Sequence, residues 1–321
     1  MPQGSFQFRR LRRHFKNPLQ TASGTVSHVD RLLLRVESPE GTGWGEIAPW
    51  PTFPVEKITD DLNFLEAAKG NLAALYKGIA GHERQLPCLM AALAMARDGS
   101  AIQSTSAALS CTGLIPIGAP TERLKSLYEA GYRSIKIKIS PETNLVALEA
   151  KIETLPSDLT LRLDANGTLP PERARDWIHF TQDTPQIEFL EQPLAVGHPE
   201  LLQHSGSKIA LDESVTQPVD NLVAESWPGL FVIKPALCGD WAPVAAWAKA
   251  RPGRVVLSSA FETAIGRQAG LVWAAALNLN RAVGFDTLNY FEPDGWEMHN
   301  SGPIVKTLDG FDWEAYWRKN P

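Results

Sequence analysis

Polar and apolar residues alternate with a period of two over short runs in the middle of this chain, separated by longer stretches with a helical period. In SIKIKIS, Ile135, Ile137 and Ile139 share one side of a strand, and Lys136 and Lys138 share the other. Six more segments follow: LRLDAN with Asp164, EFLEQP with Glu191, IALDES with Asp212, FVIKPAL with Lys234, VVLSSAFE with Ser258 and Ser259, and AVGFDT with Asp286. Their starts lie roughly 20 to 28 residues apart, the length of one strand plus one return helix. Amphipathic stretches at 121–130, 144–155, 171–181, 220–226 and 240–249 supply helices between them. With residues 108–114 as the first strand, the pattern predicts parallel strands covered on both faces and closed into an eight-stranded βα barrel.

The two ends of the chain read differently. Phe6 and Phe8 alternate with polar residues as a strand would, and residues 18–24 predict a turn into a second strand. Residues 31–38 and 42–47 flank a turn at 39–41 and predict a hairpin. Pro49, Pro51 and Pro54 stiffen a loop carrying Trp50 and Phe53. Residues 56–98 are helical in pattern, with Pro87 expected to separate two helices. The stretch 291–321 contains no further βα unit and is expected to pack back on the start of the chain. The expected organisation is an α+β cap over 1–99, a barrel over 100–288, and a tail over 289–321 that completes the cap.

A chain of 321 residues with 44% hydrophobic residues can bury a sizeable core. Its formal net charge of −5, with no basic stripe, argues against a nucleic-acid partner. No apolar run approaches the roughly 20 residues that span a bilayer. Cys88, Cys111 and Cys238 are far apart and suggest reduced thiols in a cytoplasmic compartment. The arginine-rich start could be a transit peptide, but its strand-like alternation favours a basic edge strand.

Barrels of this kind carry their chemistry where the C-terminal ends of the strands meet. Arg162, Asp164 and Asn166 share the inward face of their strand, opposite Leu161, Leu163 and Ala165. A charge inside a barrel is costly unless paired or bound to metal. Arg162 alone reads equally well as half of a structural ion pair; the whole inward set does not. Asp164, Glu191 and Asp212 offer only hard oxygens, which favours Mg²⁺, or Mn²⁺, over zinc. Asn166 and Glu213 are expected just behind these ligands, touching them or a lysine. A lysine can take a proton if neighbouring cations and desolvation push its pKa from about 10.4 toward 7 to 8. Lysines inside βα barrels also form imines, which leaves a Schiff-base aldolase as an alternative that would not explain three carboxylates. A non-enzymatic metal-binding role is a further alternative.

The motifs KIK, DAN, EQP, DES and the lysine of IKPAL, in this order, resemble the enolase superfamily in its muconate-lactonizing-enzyme-like branch. That resemblance implies a modified (β/α)₇β barrel of the TIM type under an α+β cap, with a Lys base beside Mg²⁺ and an enediolate intermediate. It assigns metal ligation to Asp164, Glu191 and Asp212, proton transfer to Lys138, charge stabilisation to Lys234, and to Lys136 the lowering of the Lys138 pKa and a contact to the substrate carboxylate. The segments RRHFKNPLQTASGT, GWGEIAPWP, SSAFETAIG and GFDTLNYF resemble members that dehydrate a succinyl-bearing hydroxycyclohexadiene carboxylate on the route to menaquinone or phylloquinone. By that likeness Ser258, Ser259 and Gly266 would hold the succinyl arm, and Trp50 and Phe53 would cover the ring. The same two lysines would also serve 1,1-proton transfer, as in dipeptide epimerases and N-succinylamino-acid racemases. The run Asp286-Thr287-Leu288 lacks the second acid with which the epimerases hold an ammonium group.

Overall fold

The computed structural model describes residues 2–21, 24–51, 56–116, 119, 122–198, 206–219, 221–293, 302–308 and 310–320. An antiparallel sheet of β1 (Ser5–Thr21), β2 (Gly24–Ser38) and β3 (Gly41–Ile47) opens the chain, with β1 at one edge. The hairpin expected at 31–47 is present, with Ser38 opposite Gly41. The turn expected over 18–24 is shorter than its residues suggested, because β1 runs through Pro18 to Thr21, which pairs with Gly24. The ladder is irregular between His14 and Leu19. Pro18 therefore falls where no ladder hydrogen bond is required of it.

Three helices, rather than two, follow between residues 56 and 98: Ile58–Ala68, Leu72–Ile79 and Pro87–Arg97. Pro87 sits in the first turn of the third, where its missing N–H costs nothing. The extra break comes at Lys69 and Gly70, both with left-handed φ (49° and 77°). The alanine-rich third helix packs directly on β3. A Cβ at Gly43 would lie 1.8 Å from the Ala96 carbonyl oxygen, and one at Gly45 would lie 2.1 Å from that of Ala92. The glycines of TGWGEI thus allow close approach of sheet and helix, which fixes Glu46 and the chain leading to Trp50.

Beside this helix the half-buried carboxyl of Glu56 and the buried one of Asp61 face each other. Glu56 accepts the amides of Cys88 (2.6 Å) and Leu89 (3.1 Å), while neither Asp61 oxygen has a hydrogen-bond donor. Burial, and then the Glu56 carboxylate, raise the Asp61 pKa well above the usual range, so Asp61 is held protonated. The folded chain therefore binds a proton that the unfolded chain releases, and this contribution to stability is lost as pH rises through the raised pKa. Asp61→Asn should keep a donor toward Glu56 and raise Tm by about 2 °C or more at mildly alkaline pH. A thermal melt series from pH 6 to 9 checks this: equal slopes for both proteins would refute the shared proton.

The next strand expected, over 108–114, is divided. Its first half, β4 (Ala108–Ser110), pairs antiparallel with β12 (Ile304–Lys306) near the end of the chain. Its second half begins the barrel as β5 (Gly113–Ile115). Then come β6 (Ser134–Lys138), β7 (Thr160–Asp164), β8 (Ile187–Glu191), β9 (Ile209–Leu211), β10 (Leu230–Ile233) and β11 (Val255–Leu257), parallel and in sequential order. Single bridges from Val283 to Cys111 and from Gly284 to Ser258 close the ring at the eighth position. Phe189, Ala210, Leu230, Val232 and Val256 form a separate buried cluster contributed by the strands themselves.

The return helices begin where the sequence offers a side chain to their free amides: Asn144, Asn221 and Asp240 all accept N–H groups there. The helix Ala264–Leu277 was not visible as an amphipathic stretch, because it is buried on nearly every side. After the ring closes, the chain returns to the N-terminal sheet. Phe291 bridges Phe15, Trp313 stacks on Trp44 at 5.7 Å, and Glu314 pairs with Arg35 at 2.8 Å. Among the described residues no helix is long and apolar enough to cross a membrane, and the three cysteines are buried free thiols.

Candidate active site

A cavity of about 550 Å³ opens at the C-terminal ends of the strands. Strand register sets its floor, with Lys136 opposite Arg162, and Lys138, Asp164 and Glu191 in line across β6, β7 and β8. Ile135 and Ile137 of β6 are buried on its other face, as the alternation predicts, whereas Ile139, just past the strand, is buried at the cavity wall. Lys136 Nζ lies 2.8 Å from Asp164 Oδ2 and 3.1 Å from Glu191 Oε1. Lys138 Nζ donates to Asp164 Oδ2 and to Asn166 Oδ1, both at 2.6 Å. Lys234, just past β10, is ion-paired with Asp212, just past β9. Arg162 sits one layer deeper. It pairs with Glu188 at 2.6 Å and donates to Thr112 Oγ1 and the Ala282 carbonyl, which fits the structural reading of this residue.

Sharp turns aim the carboxylates. Asn166 and Gln192 follow the ends of β7 and β8 with left-handed φ of 46° and 37°. The Asn166 amide folds back onto Asp164 Oδ1 at 3.0 Å, and its side chain donates to Glu213 Oε1 at 3.2 Å. Gln192 contributes in a way that the EQP motif alone does not announce. Its Oε1 accepts the amides of Asp212 (3.1 Å) and Ser214 (3.2 Å), so the glutamine of one motif shapes the turn of the next. Only its place beside Glu191 hinted at this.

Electrostatics at the floor are finely balanced. Burial works to raise the Asp164 pKa, but Lys136 and Lys138 outweigh it and hold the group well below the usual carboxylate range. Burial raises Glu191, Asp212 and Glu213. It works to lower Lys136 and Lys234, yet the carboxylates beside them prevail and keep both charged.

The opposite wall holds Ser258 and Ser259. Ser258 Oγ lies 3.4 Å from the Gly284 carbonyl, whereas Ser259 Oγ donates to Glu262 at 2.5 Å and lies 2.8 Å from Thr287 Oγ1. Gly266 does not line the cavity. Its amide donates to Glu46 Oε2 at 3.0 Å, and a Cβ there would meet that carboxylate at 2.8 Å. The expectation that it touches substrate is corrected to a close approach between helix and cap. Trp50 does line the cavity, together with Phe261, Tyr290 and the β1 end at Leu19–Thr21; Phe53 lies outside the described residues. Asp286 also lines it and accepts the Tyr132 hydroxyl at 2.5 Å.

Among the described residues no trio of acidic, His or Cys side chains stands in an ion-holding arrangement as it is, since the carboxylates close on lysines. Their chemistry nonetheless fits a hard cation. Asp164, Glu191, Asp212 and Glu213 are four acids facing three ammoniums, and Glu213 Oε2 is buried with no partner. Acidic groups outnumber lysines at this floor, and every ligand atom they offer a cation is oxygen.

Known proteins resemble this chain in both sequence and fold. A family model described as enolase C-terminal domain-like matches residues 120–307. The chain is 31% identical to the o-succinylbenzoate synthase of Thermosynechococcus vestitus, over 96% of its own length and 98% of that relative. A solved structure of o-succinylbenzoate synthase from Thermosynechococcus elongatus BP-1, complexed with Mg in its active site, superposes with a TM-score of 0.82 at 28% identity, covering 98% of each chain. The L-Ala-D/L-Glu epimerase of Bacillus subtilis shares the fold at a TM-score of 0.75 and 22% identity, over 96% of this chain and 97% of that one.

Proposed function

The chain belongs to the enolase superfamily, and we propose that within it the protein dehydrates 2-succinyl-6-hydroxy-2,4-cyclohexadiene-1-carboxylate to 2-succinylbenzoate, as the o-succinylbenzoate synthases do. One observation carries the reading. In a ring of eight positions β6 and β10 are four apart, so Lys138 and Lys234 stand across the mouth from each other, with the carboxylates of β7, β8 and the β9 end between them. Asp164, Glu191 and Asp212 would hold Mg²⁺, which would supply charge stabilisation to the substrate carboxylate worth several kcal/mol.

Lys138 as the free amine takes the proton from C1, and the C–H electron pair spreads into the carboxylate as an enediolate. The resulting ammonium then returns that proton to the C6 hydroxyl, which leaves as water from the same face, and the ring becomes aromatic. Lys234 keeps its charge beside Asp212 and Glu213 and stabilises the planar anion from the other face. Asn166 holds the Lys138 ammonium, and Lys136 ties Asp164 to Glu191. The apolar side of the cavity, with Trp50, Phe261 and Tyr290, suits a six-membered ring. Buried free thiols support a reducing, cytoplasmic setting, and the product would serve menaquinone or phylloquinone synthesis.

Epimerase chemistry on a zwitterionic dipeptide fits less well, because Asp286 accepts from Tyr132 and no second acid follows within Thr287-Leu288. With Mg²⁺ present, kcat/KM for the cyclohexadiene carboxylate should exceed that for an N-succinylamino acid by about a hundredfold, the effect of roughly 3 kcal/mol of differential stabilisation. Spectrophotometric dehydration and polarimetric racemisation assays on one preparation measure the ratio. A reversed ratio would assign the site to racemisation.

A further inference from the structure

Arg31, on β2, is wholly buried, so its guanidinium must find every partner inside the protein. Nη1 donates to the carbonyls of Asp30 (3.0 Å) and Pro49 (2.9 Å). Nη2 donates to those of Ala260 (2.9 Å) and Phe261 (3.1 Å). Pro49 immediately precedes Trp50, and Ala260 and Phe261 immediately follow Ser259. One side chain therefore grips two segments more than two hundred positions apart, one leaving the N-terminal sheet and one leaving the barrel strand β11.

Those two segments meet above the cavity. The Trp50 and Phe261 rings stack with centroids 5.0 Å apart and planes 21° apart, and both line the pocket. Phe261 has φ of 60°, a left-handed conformation that costs an aromatic residue and persists only where its surroundings hold it. The carbonyl bonds to Arg31 are such a hold. Phe261 is further braced edge-on by Phe15 at 5.5 Å and Tyr290 at 5.9 Å.

We propose that Arg31 is a positioning residue that joins the Trp50 and Phe261 segments into one roof and so sets how tightly a planar ring is held beneath it. Its link to ring recognition rests on the dehydration reading above; the clamp itself does not. The ion pair with Glu46 is a separate feature. Arg31 Nε lies 3.5 Å from Glu46 Oε1, while Glu46 accepts the Thr263 amide (2.9 Å), the Thr263 hydroxyl (2.6 Å) and the Gly266 amide at the start of the helix Ala264–Leu277.

The test is a double-mutant cycle of Arg31→Met with Trp50→Ala, read as KM and kcat for the cyclohexadiene carboxylate. Arg31→Met should raise KM roughly tenfold and leave kcat within about threefold, because the lysines and carboxylates of the floor are untouched. In the Trp50→Ala background the same change should raise KM less than about twofold. An equal rise in both backgrounds, or an unchanged KM in a folded Arg31→Met protein, would overturn the proposal. Should Arg31→Met misfold by stranding Glu46, the pair Arg31→Met with Glu46→Gln replaces it under the same criteria. Acrylamide quenching of the Trp50 signal, taken as the difference from Trp50→Phe protein, reads the roof without substrate. Quenching should rise in Arg31→Met protein, and no rise defeats the clamp. A wild type that dehydrates nothing defeats only the dehydration reading.

Discussion

Lys138→Ala should lower dehydration about 10²- to 10⁴-fold and stop exchange of the substrate α-proton with solvent deuterium, since it removes the group that carries the proton. Lys234→Ala should lower dehydration about 10²- to 10³-fold by withdrawing a fixed positive charge from the developing anion. The two variants should also differ in stability. Asp164 keeps Lys136 at 2.8 Å when Lys138 is lost, whereas Lys234 is the cation paired with Asp212. Lys234→Ala thus leaves a buried carboxylate short of a partner and should melt lower than Lys138→Ala in metal-free buffer. NMR exchange in deuterated buffer, turnover and thermal melts measure all three effects. Turnover within a few-fold of wild type in either variant would remove that lysine from the chemistry.

How much of this was legible beforehand follows from where the information lies. Alternation within single strands carried the inward face of Lys136, Lys138 and Asp164, because a period of two is written locally, whereas Asn166 lies past β7 in a left-handed turn that alternation does not describe. The order of the strands came from their spacing and the helices between them. What stayed hidden depends on contacts between segments far apart. Strand β4 looks like the start of a barrel strand until β12, nearly two hundred residues later, pairs with it. The helix Ala264–Leu277 has no polar face to announce it, since burial removed the contrast that periodicity needs. Gly266 resembled a residue facing substrate, but the carboxylate that leaves no room for a Cβ there comes from Glu46 in the cap sheet. Nothing in the sequence singles out Arg31, and only its four carbonyl partners reveal a clamp.

Asp212→Asn should abolish measurable dehydration while the barrel stays folded. The mouth of the barrel is not its core: the surrounding strands are held by Ile209, Leu211, Phe231 and Ile233, all buried and none lining the cavity. Asparagine keeps the shape of the side chain and the backbone bond to Gln192, so what is lost is one anionic oxygen donor for a hard cation. The metal reading adds a thermodynamic signature that needs no turnover. A cation that binds only the folded protein stabilises it by RT ln(1 + [L]/Kd), about 2.7 kcal/mol at a hundred times Kd. Mg²⁺ should therefore raise the Tm of EDTA-treated wild type, and do so little or not at all for Asp212→Asn. Calorimetric titration with Mg²⁺ gives the same comparison as a heat of binding. Full turnover after EDTA treatment, or an equal Mg²⁺-dependent shift in both proteins, would separate Asp164, Glu191 and Asp212 from any metal and leave the floor as a network of lysine–carboxylate pairs alone.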